Sequence, residues 1–220
     1  MKKLLLLLAV MMPLMSIAQE EKPVQGTVPA VDNAFQLAAD LAKYGYSHND
    51  ALSLVQAARI AQNEGFVAMP GTKEPGSSTG AVTSSPFTIE PARLLADAKA
   101  RANGDDVVLA LIEDASRYPA PSATRGSNNP MYVVDVVSAN SYDLYRHTFR
   151  ASEEAIVICI GDGDTDLDLY VYDENYNLID KDDDYTDDCI CTFTPSWTGT
   201  FYIKIVNRGR IANRYLLRSN

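Results

Sequence analysis

The spacing of apolar residues in this 220-residue sequence changes near residue 131, and this change constrains the fold more than any other feature. Before it, apolar residues recur at three and four positions, as in Val31, Ala34, Leu37, Leu41 and Tyr44, which is the period of an amphipathic helix. After it, apolar and polar residues alternate, which is the period of a half-buried strand. The sequence therefore predicts an α+β protein, with short helices followed by a C-terminal antiparallel β-sandwich or jelly-roll.

Turn and capping residues set the boundaries of these elements. Ser47 to Asp50 form a helix start signal, Gly65 a stop signal, and Pro91 suits a first helical turn. The helical region is predicted at 31–117, with helices starting at 31 and covering 49–63, 90–102 and 105–116, and with a surface loop at 69–86. A linker at 118–131 follows. The sandwich at 132–220 is predicted to contain strands at 132–136, 143–149, 155–160, 167–172, 189–194, 200–206 and 214–218.

The N-terminus has the pattern of a secretory signal peptide. Two lysines precede an uncharged run from Leu4 to Ala18, which ends in small residues and is shorter than the roughly 20 residues that cross a bilayer. We expect residues 1–18 to be cleaved and 19–30 to form a flexible lead-in. With no second long apolar run, we expect no transmembrane segment after cleavage and a periplasmic or secreted protein.

The negative charge is concentrated in one part of the chain. Of the 29 acidic residues, twelve lie between Asp162 and Asp188, where Lys181 is the one basic residue. Such a segment repels phosphates, so nucleic acid is excluded as a partner. A local acidic concentration favours a cation site over a general contribution to solubility.

Calcium is the cation that these residues fit best. Asp162, Asp164, Asp166 and Asp168 alternate with other residues, so a strand conformation would place their carboxylates on one face. Closely spaced carboxylates repel one another unless a cation neutralises them, and Ca²⁺ takes six to eight oxygen ligands. A second acidic segment could complete the site. The predicted calcium ligands are Asp162, Asp164, Asp166, Asp168, Asp182, Asp184 and Asp187; the alternative is a solvated acidic face.

Three cysteines occur, and export would permit a disulfide. Cys189 and Cys191 lie two apart on a predicted strand, at the limit of bridgeable geometry. We predict a bond between Cys159 and Cys189, which would tie together the bases of the two acidic segments and leave Cys191 as a buried free thiol. If alternate isoleucines of the 155–160 strand face inward, Cys159 faces outward, and the pairing then requires Cys189 to lie at an edge.

Two segments resemble the bacterial pre-peptidase C-terminal domain. They are Gly163-Asp164-Thr165-Asp166-Leu167-Asp168-Leu169-Tyr170 and, later, Thr198-Gly199-Thr200-Phe201-Tyr202. The resemblance covers roughly residues 132–220 and implies a β-sandwich accessory module without catalytic activity. Some members bind calcium and, in collagenases, fibrous substrate. In this sequence we expect the module to follow about 90 residues of short helices and not a peptidase domain.

The predicted function is that of an exported, non-catalytic binding protein with a calcium-stabilised sandwich, engaging protein or glycan at the cell surface or in the periplasm. Outward tyrosines such as Tyr170, Tyr172 and Tyr202 could form a binding face, although tyrosine is also a common strand residue. One alternative is a structural or regulatory partner of another exported protein such as a protease, which exposed apolar helix faces would favour. A hydrolase with an unrecognised site is the other, but no hydrolase motif is present.

Overall fold

A computed structural model describes residues 30–66, 72–78, 83–117 and 131–220. The predicted signal peptide, nearly all of the lead-in and residues 118–130 of the predicted linker lie outside the described residues. The helices are α1 (Ala30–His48), α2 (Ala51–Glu64), α3 (Pro91–Arg101) and α4 (Asp106–Ser116). The strands are β1 (Tyr132–Val137), β2 (Tyr142–Phe149), β3 (Ala155–Gly161), β4 (Leu167–Asp173), β5 (Leu178–Asp182), β6 (Asp188–Phe193), β7 (Gly199–Asn207) and β8 (Asn213–Ser219).

The helices begin and end where their capping residues allow. The Asp50 carboxylate accepts hydrogen bonds from the first amides of α2, and Asp105 does the same for α4. Helix α2 ends at Gly65, whose φ of 69° is in the left-handed region that glycine adopts without strain. The four predicted helices are thus confirmed.

The strands form two antiparallel sheets of four strands each, in the orders β1-β8-β3-β6 and β2-β7-β4-β5. Their facing sides share one apolar core, to which β2, β4 and β7 contribute large side chains such as Tyr145, Leu169 and Ile203. The predicted fold, helices followed by an antiparallel sandwich, is confirmed. The helices add a third layer, because they pack against the outer side of the β1-β8-β3-β6 sheet.

Strand β3 lies at the centre of this three-layer arrangement. All seven of its residues are buried. Its isoleucines, with Leu216 of β8, pack against helix residues such as Phe35, while Val157 and Cys159 belong to the sandwich core. A strand that is buried on both sides needs apolar residues at every position, which explains its uninterrupted sequence.

Strand β5 was missed by sequence analysis, which predicted no strand between β4 and β6. A turn precedes β5, and in it the Asp173 carboxylate accepts hydrogen bonds from the amides of Asn175 and Asn177, each at 2.8 Å. Strand β5 then pairs with β4, with a register shift between Val171 and Tyr172.

Part of the predicted surface loop at 69–86 is an ordered strap, residues 72–78, on the free edge of β2. The amides of Glu74 and Ser78 donate to the carbonyls of Leu144 and Tyr142, each at 2.8 Å. Ser78 is buried. The strap satisfies backbone groups that an edge strand would otherwise leave unpaired, so this part of the loop is fixed to the sandwich although it forms no regular helix or strand.

Candidate functional site: acidic loops and a tyrosine face

The first acidic segment is a loop before β4, so the strand prediction for Asp162, Asp164 and Asp166 is wrong. One Asp162 oxygen accepts the Arg214 amide at 3.1 Å and the other accepts the Asp164 amide at 3.4 Å. Burial raises the pKa of Asp162. The glycine at 163 has a φ of 91°, a backbone conformation outside the strand region, which explains why the loop does not extend β4 backwards.

Asp168 is the predicted ligand that does lie on β4. Its side chain is buried, and its Oδ2 lies 2.5 Å from the Arg208 guanidinium and 3.0 Å from the Tyr170 hydroxyl. This carboxylate therefore already has a cationic partner from the loop after β7.

Two acids of β5 bind the edge of the opposite sheet. Asp180 accepts the Thr192 amide at 2.8 Å, and Asp182 accepts the Ile190 amide at 2.9 Å. These amides lie on β6, the edge strand of its sheet, and the two carboxylates occupy the place of a neighbouring strand. Desolvation by burial raises the pKa of Asp182, although the hydrogen bond from the Ile190 amide opposes this shift.

The remaining acids of the second segment have separate partners. Asp184 accepts hydrogen bonds from the amide and hydroxyl of Thr186, at 2.8 and 2.7 Å. Asp187 accepts the Gly163 amide, and Asp188 lies 2.6 Å from the Lys43 amine of α1. Asp187 and Asp188 thus connect the acidic segments to each other and to the helical layer.

Because most of these carboxylates already bind amides or cations of the protein, few of their oxygens are free to bind calcium. Among the residues that the structure describes, no three Asp, Glu, His or Cys side chains are grouped so that they could hold a metal ion. One feature remains in favour of a cation: Oδ1 of Asp166 is buried and has no hydrogen-bond partner. Burial and the neighbouring charge of Asp168 raise the pKa of Asp166. The arrangement does not form a finished calcium site, and calcium binding stays a prediction.

The predicted disulfide is not formed, because all three cysteines are buried free thiols. Cys159 and Cys189 are nevertheless direct partners across β3 and β6. However, the thiol of Cys189 donates to the carbonyl oxygen of Leu167 at 3.2 Å, across the sandwich. Cys159 faces the sandwich core because the isoleucines of its strand face the helices. The unbroken apolar run of β3 indicates this second apolar layer, which the disulfide prediction did not use.

A buried ionic network, which sequence analysis missed, holds the strap to the sandwich. Lys73 lies 2.9 Å from Asp143 and 3.1 Å from Asp135. The Tyr215 hydroxyl donates to Asp143 at 2.8 Å, and the Tyr145 hydroxyl lies 2.6 Å from that of Tyr215. The signal that could have identified the network is Asp143 itself, which is in phase with the inward residues of β2.

The outer side of the β2-β7-β4-β5 sheet carries an aromatic surface, which we call the tyrosine face. Within the part of the chain that the structure describes, helices cover the outer side of the other sheet but not of this one. Tyr172 and Tyr202 are direct partners across β4 and β7, and Tyr170 is opposite Lys204. The tyrosine face consists of Tyr142, Tyr170, Tyr172, Tyr176 and Tyr202.

The rings of this face support one another. Tyr176 stacks on Tyr202 with centroids 4.6 Å apart and planes within 7°, and the Lys204 amine lies 4.4 Å from the centre of the Tyr142 ring. Burial raises the pKa of Tyr170 and of Tyr172. The face therefore offers partly exposed, pre-positioned rings that combine apolar area with hydrogen-bonding groups.

The family comparison agrees with this architecture. Residues 141–206 match the model of the family described as bacterial pre-peptidase C-terminal domain. The match includes both segments whose motifs predicted this resemblance, so residues 141–206 carry a domain of this class. No curated protein sequence matches the chain.

Solved structures with a related sandwich are distant. The pre-peptidase C-terminal domain of a collagenase from Bacillus anthracis is 10% identical, with a TM-score of 0.37, covering 41% of this chain and 88% of that one. A periplasmic inhibitor of g-type lysozyme from Aeromonas hydrophila is 9% identical, with a TM-score of 0.34 and coverage of 44% and 91%. The Yersinia pseudotuberculosis-derived mitogen is 12% identical, with a TM-score of 0.33 and coverage of 42% and 85%. These likenesses are too weak to carry function.

No helix among the described residues is both long enough and apolar enough to span a membrane.

Proposed function

We propose that this protein is an exported, non-catalytic binding protein whose tyrosine face docks on the surface of a partner protein. The observation that carries the proposal is that the outer sides of the two sheets are covered differently. One outer side is sealed by the chain's own helices, whereas the other presents five partly exposed tyrosines. Export rests on the N-terminal signal pattern, and the accessory role is what membership of the sandwich's family implies.

Tyrosine is the residue type that this role favours. Tyrosines are enriched in protein interfaces, because each ring buries a large area with few rotatable bonds and still offers a hydroxyl. Stacking of Tyr176 on Tyr202 reduces the conformational freedom that binding would otherwise remove. Lys204 and the exposed Lys181 add positive charge to a face whose surroundings are acidic.

Calcium would act on this function indirectly. One acidic loop connects β3 to β4, and the other connects β5 to β6. A cation bound at Asp166 would offset the repulsion between their carboxylates. It would stabilise the sandwich without contacting the partner. The tyrosine face does not depend on the metal for its geometry.

Site-specific photo-crosslinking tests the proposal. A photoreactive side chain replaces Tyr172 at the centre of the face, and a matched one replaces Tyr185, which is 97% exposed in an acidic loop. In cells that produce the protein, position 172 is expected to crosslink to one protein and position 185 is not. Equal crosslinking yields from both positions contradict the proposal. If position 172 crosslinks only to polysaccharide, the partner is a glycan and not a protein.

A second candidate is a structural or regulatory partner that docks through helix α1. Leu37 and Tyr44 are 52% and 51% exposed, and Leu41 lies on the same side of the helix between them. This apolar stripe is the exposed helix face that would favour such a role. A third photoreactive variant at Leu37 separates the two candidates. Crosslinks from position 37 and not from position 172 would support docking through α1.

A further inference from the structure

A polar pocket of about 470 Å³ lies where the segment leading into α3 crosses the helix-facing side of β1 and β8. Val134 and Arg214 line it from the sheet, and Ser84, Thr88, Glu90 and Arg93 line it from the other side. Its volume is within the range of small-molecule sites. The pocket lies on the sheet opposite the tyrosine face, so it is separate from the proposed docking surface.

Arg214 is the unusual residue in this pocket. Its Nε is buried and has no hydrogen-bond partner among the described residues. No carboxylate of the described residues forms an ion pair with its guanidinium. In a chain with 29 acidic residues against 19 basic ones, an arginine without a carboxylate at the wall of a pocket is unexpected. Because Nε has no exposed surface, the oxygens of a ligand would instead contact the terminal nitrogens of Arg214, which are not among the buried unpartnered atoms of the described residues.

The neighbouring acids do not fill this role. Asp162 bonds the backbone amide of Arg214 at 3.1 Å, and Asp97 bonds Nε of Arg93 at 2.9 Å. Glu90 lines the pocket but forms no ion pair with Arg214. The guanidinium fork of Arg214 therefore remains available to a group from outside.

Two further features add donors at the same place. The Thr88 hydroxyl accepts the Glu90 amide at 3.1 Å, so its own proton is available to another acceptor. Helix α3 starts at the pocket without a side-chain cap, because Glu90 makes no capping bond. Its first free amides and the positive end of its dipole therefore add to the preference for negative charge.

We propose that this pocket binds a small molecule or chain end through its oxyanion group, a carboxylate or a phosphate, with the Arg214 fork as the main contact. The paired N–H groups of a guanidinium match two oxygens of either group. Val134 and the ring of Pro86 provide apolar contacts for the remainder of the ligand.

The test is thermal unfolding of the purified full chain titrated with sodium acetate or sodium phosphate, with sodium chloride keeping the ionic strength constant. Three proteins are compared: wild type, Arg214→Gln and the control Arg210→Gln, which removes an exposed arginine outside the pocket. For at least one probe, a saturable rise in Tm is expected in wild type and in Arg210→Gln. In Arg214→Gln, the probe concentration that gives half of the maximal rise should be at least tenfold higher. Acetate alone identifies a carboxylate ligand and phosphate alone a phosphorylated one.

Two results overturn the proposal. One is the absence of a saturable shift with both probes. The other is a shift of equal size in all three proteins, which is the general effect of salt on the folded state. If Arg214→Gln does not fold, Arg214→Lys is used instead, because lysine retains the charge but lacks the paired N–H groups of the guanidinium. Its half-saturating probe concentration should be at least fivefold higher than that of wild type.

Discussion

The amine of Lys73 lies 2.9 Å from Oδ2 of Asp143, a carboxylate with no exposed surface, and this ion pair joins the strap to the sandwich. Replacing Lys73 by methionine leaves that carboxylate buried without its cation. We expect a loss of about 3 to 5 kcal/mol in the free energy of unfolding, the usual cost of breaking a buried pair on one side. Urea denaturation measures it.

The matched control for this variant is Lys181→Met, since Lys181 pairs with Asp183 at an exposed position. Its expected effect is below about 1 kcal/mol. The double variant Lys73→Met with Asp143→Asn should recover part of the loss. Equal effects of the two single lysine variants would show that the strap contributes little to stability.

Calcium is predicted to raise the melting temperature of the protein. A ligand that binds only the native state at 100 times its dissociation constant stabilises it by about 2.7 kcal/mol. Calorimetry in millimolar Ca²⁺ and in EGTA measures the shift. Asp166→Asn should abolish it, and Asp183→Asn, which changes an acid outside the predicted ligand set, should not. No shift in the wild type, or an equal one with Mg²⁺, argues against a calcium site.

Asp166→Asn is also predicted to change how stability depends on pH when calcium is absent. Burial, followed by the charge of Asp168, raises the pKa of Asp166, so the folded state binds this proton more readily than the unfolded state. The ionised group therefore destabilises the fold at neutral pH. This destabilisation decreases as the pH falls from the raised pKa of the folded state to the ordinary pKa of about 4 in the unfolded state.

The substitution should stabilise the protein at pH 7 by less than about 1 kcal/mol, because Asp166 is partly solvated. Its benefit should disappear near pH 4. Denaturation curves at several pH values provide the measurement. A destabilised variant at pH 7 would mean that Asp166 has a favourable partner, and a constant difference across this range would mean that its pKa is not raised in the folded state.

The cysteines are predicted to resist alkylation in the folded protein. Burial raises the pKa of Cys159 well above its ordinary value, so little of the reactive thiolate is present. Mass spectrometry after iodoacetamide treatment should find no modified cysteine in the native state and three after unfolding without reductant. If only one is modified after unfolding, two of the thiols are oxidised and the free-thiol arrangement is wrong.

The helices and most strands were predictable because their periods and caps are local properties of the sequence. Asp50, Gly65 and Pro91 mark helix ends by direct bonding or backbone geometry, without reference to the rest of the chain. The alternation of Phe201, Ile203 and Ile205 likewise gives the inward side of β7 without any tertiary information.

The elements that were missed depend on distant partners. Strand β5 has few apolar residues because Asp180 and Asp182 reach the amides of β6, a contact between two sheets. The strap has the composition of a loop, and its burial depends on Asp143, 70 residues beyond Lys73. The acidic residues suggested one metal site, but the amides and cations that bind Asp162, Asp168 and Asp187 come from other elements.

The tyrosine face is tested most directly by comparing the reactivity of individual tyrosines in the purified protein and in extracts of the cells that produce it. Radical footprinting with mass spectrometry gives a protection ratio for each residue. We expect strong protection of Tyr172 and Tyr202 in the extract, with little change at Tyr185, which is 97% exposed away from the face. Equal ratios for all three, or protection confined to Tyr44 on α1, would contradict docking through this sheet.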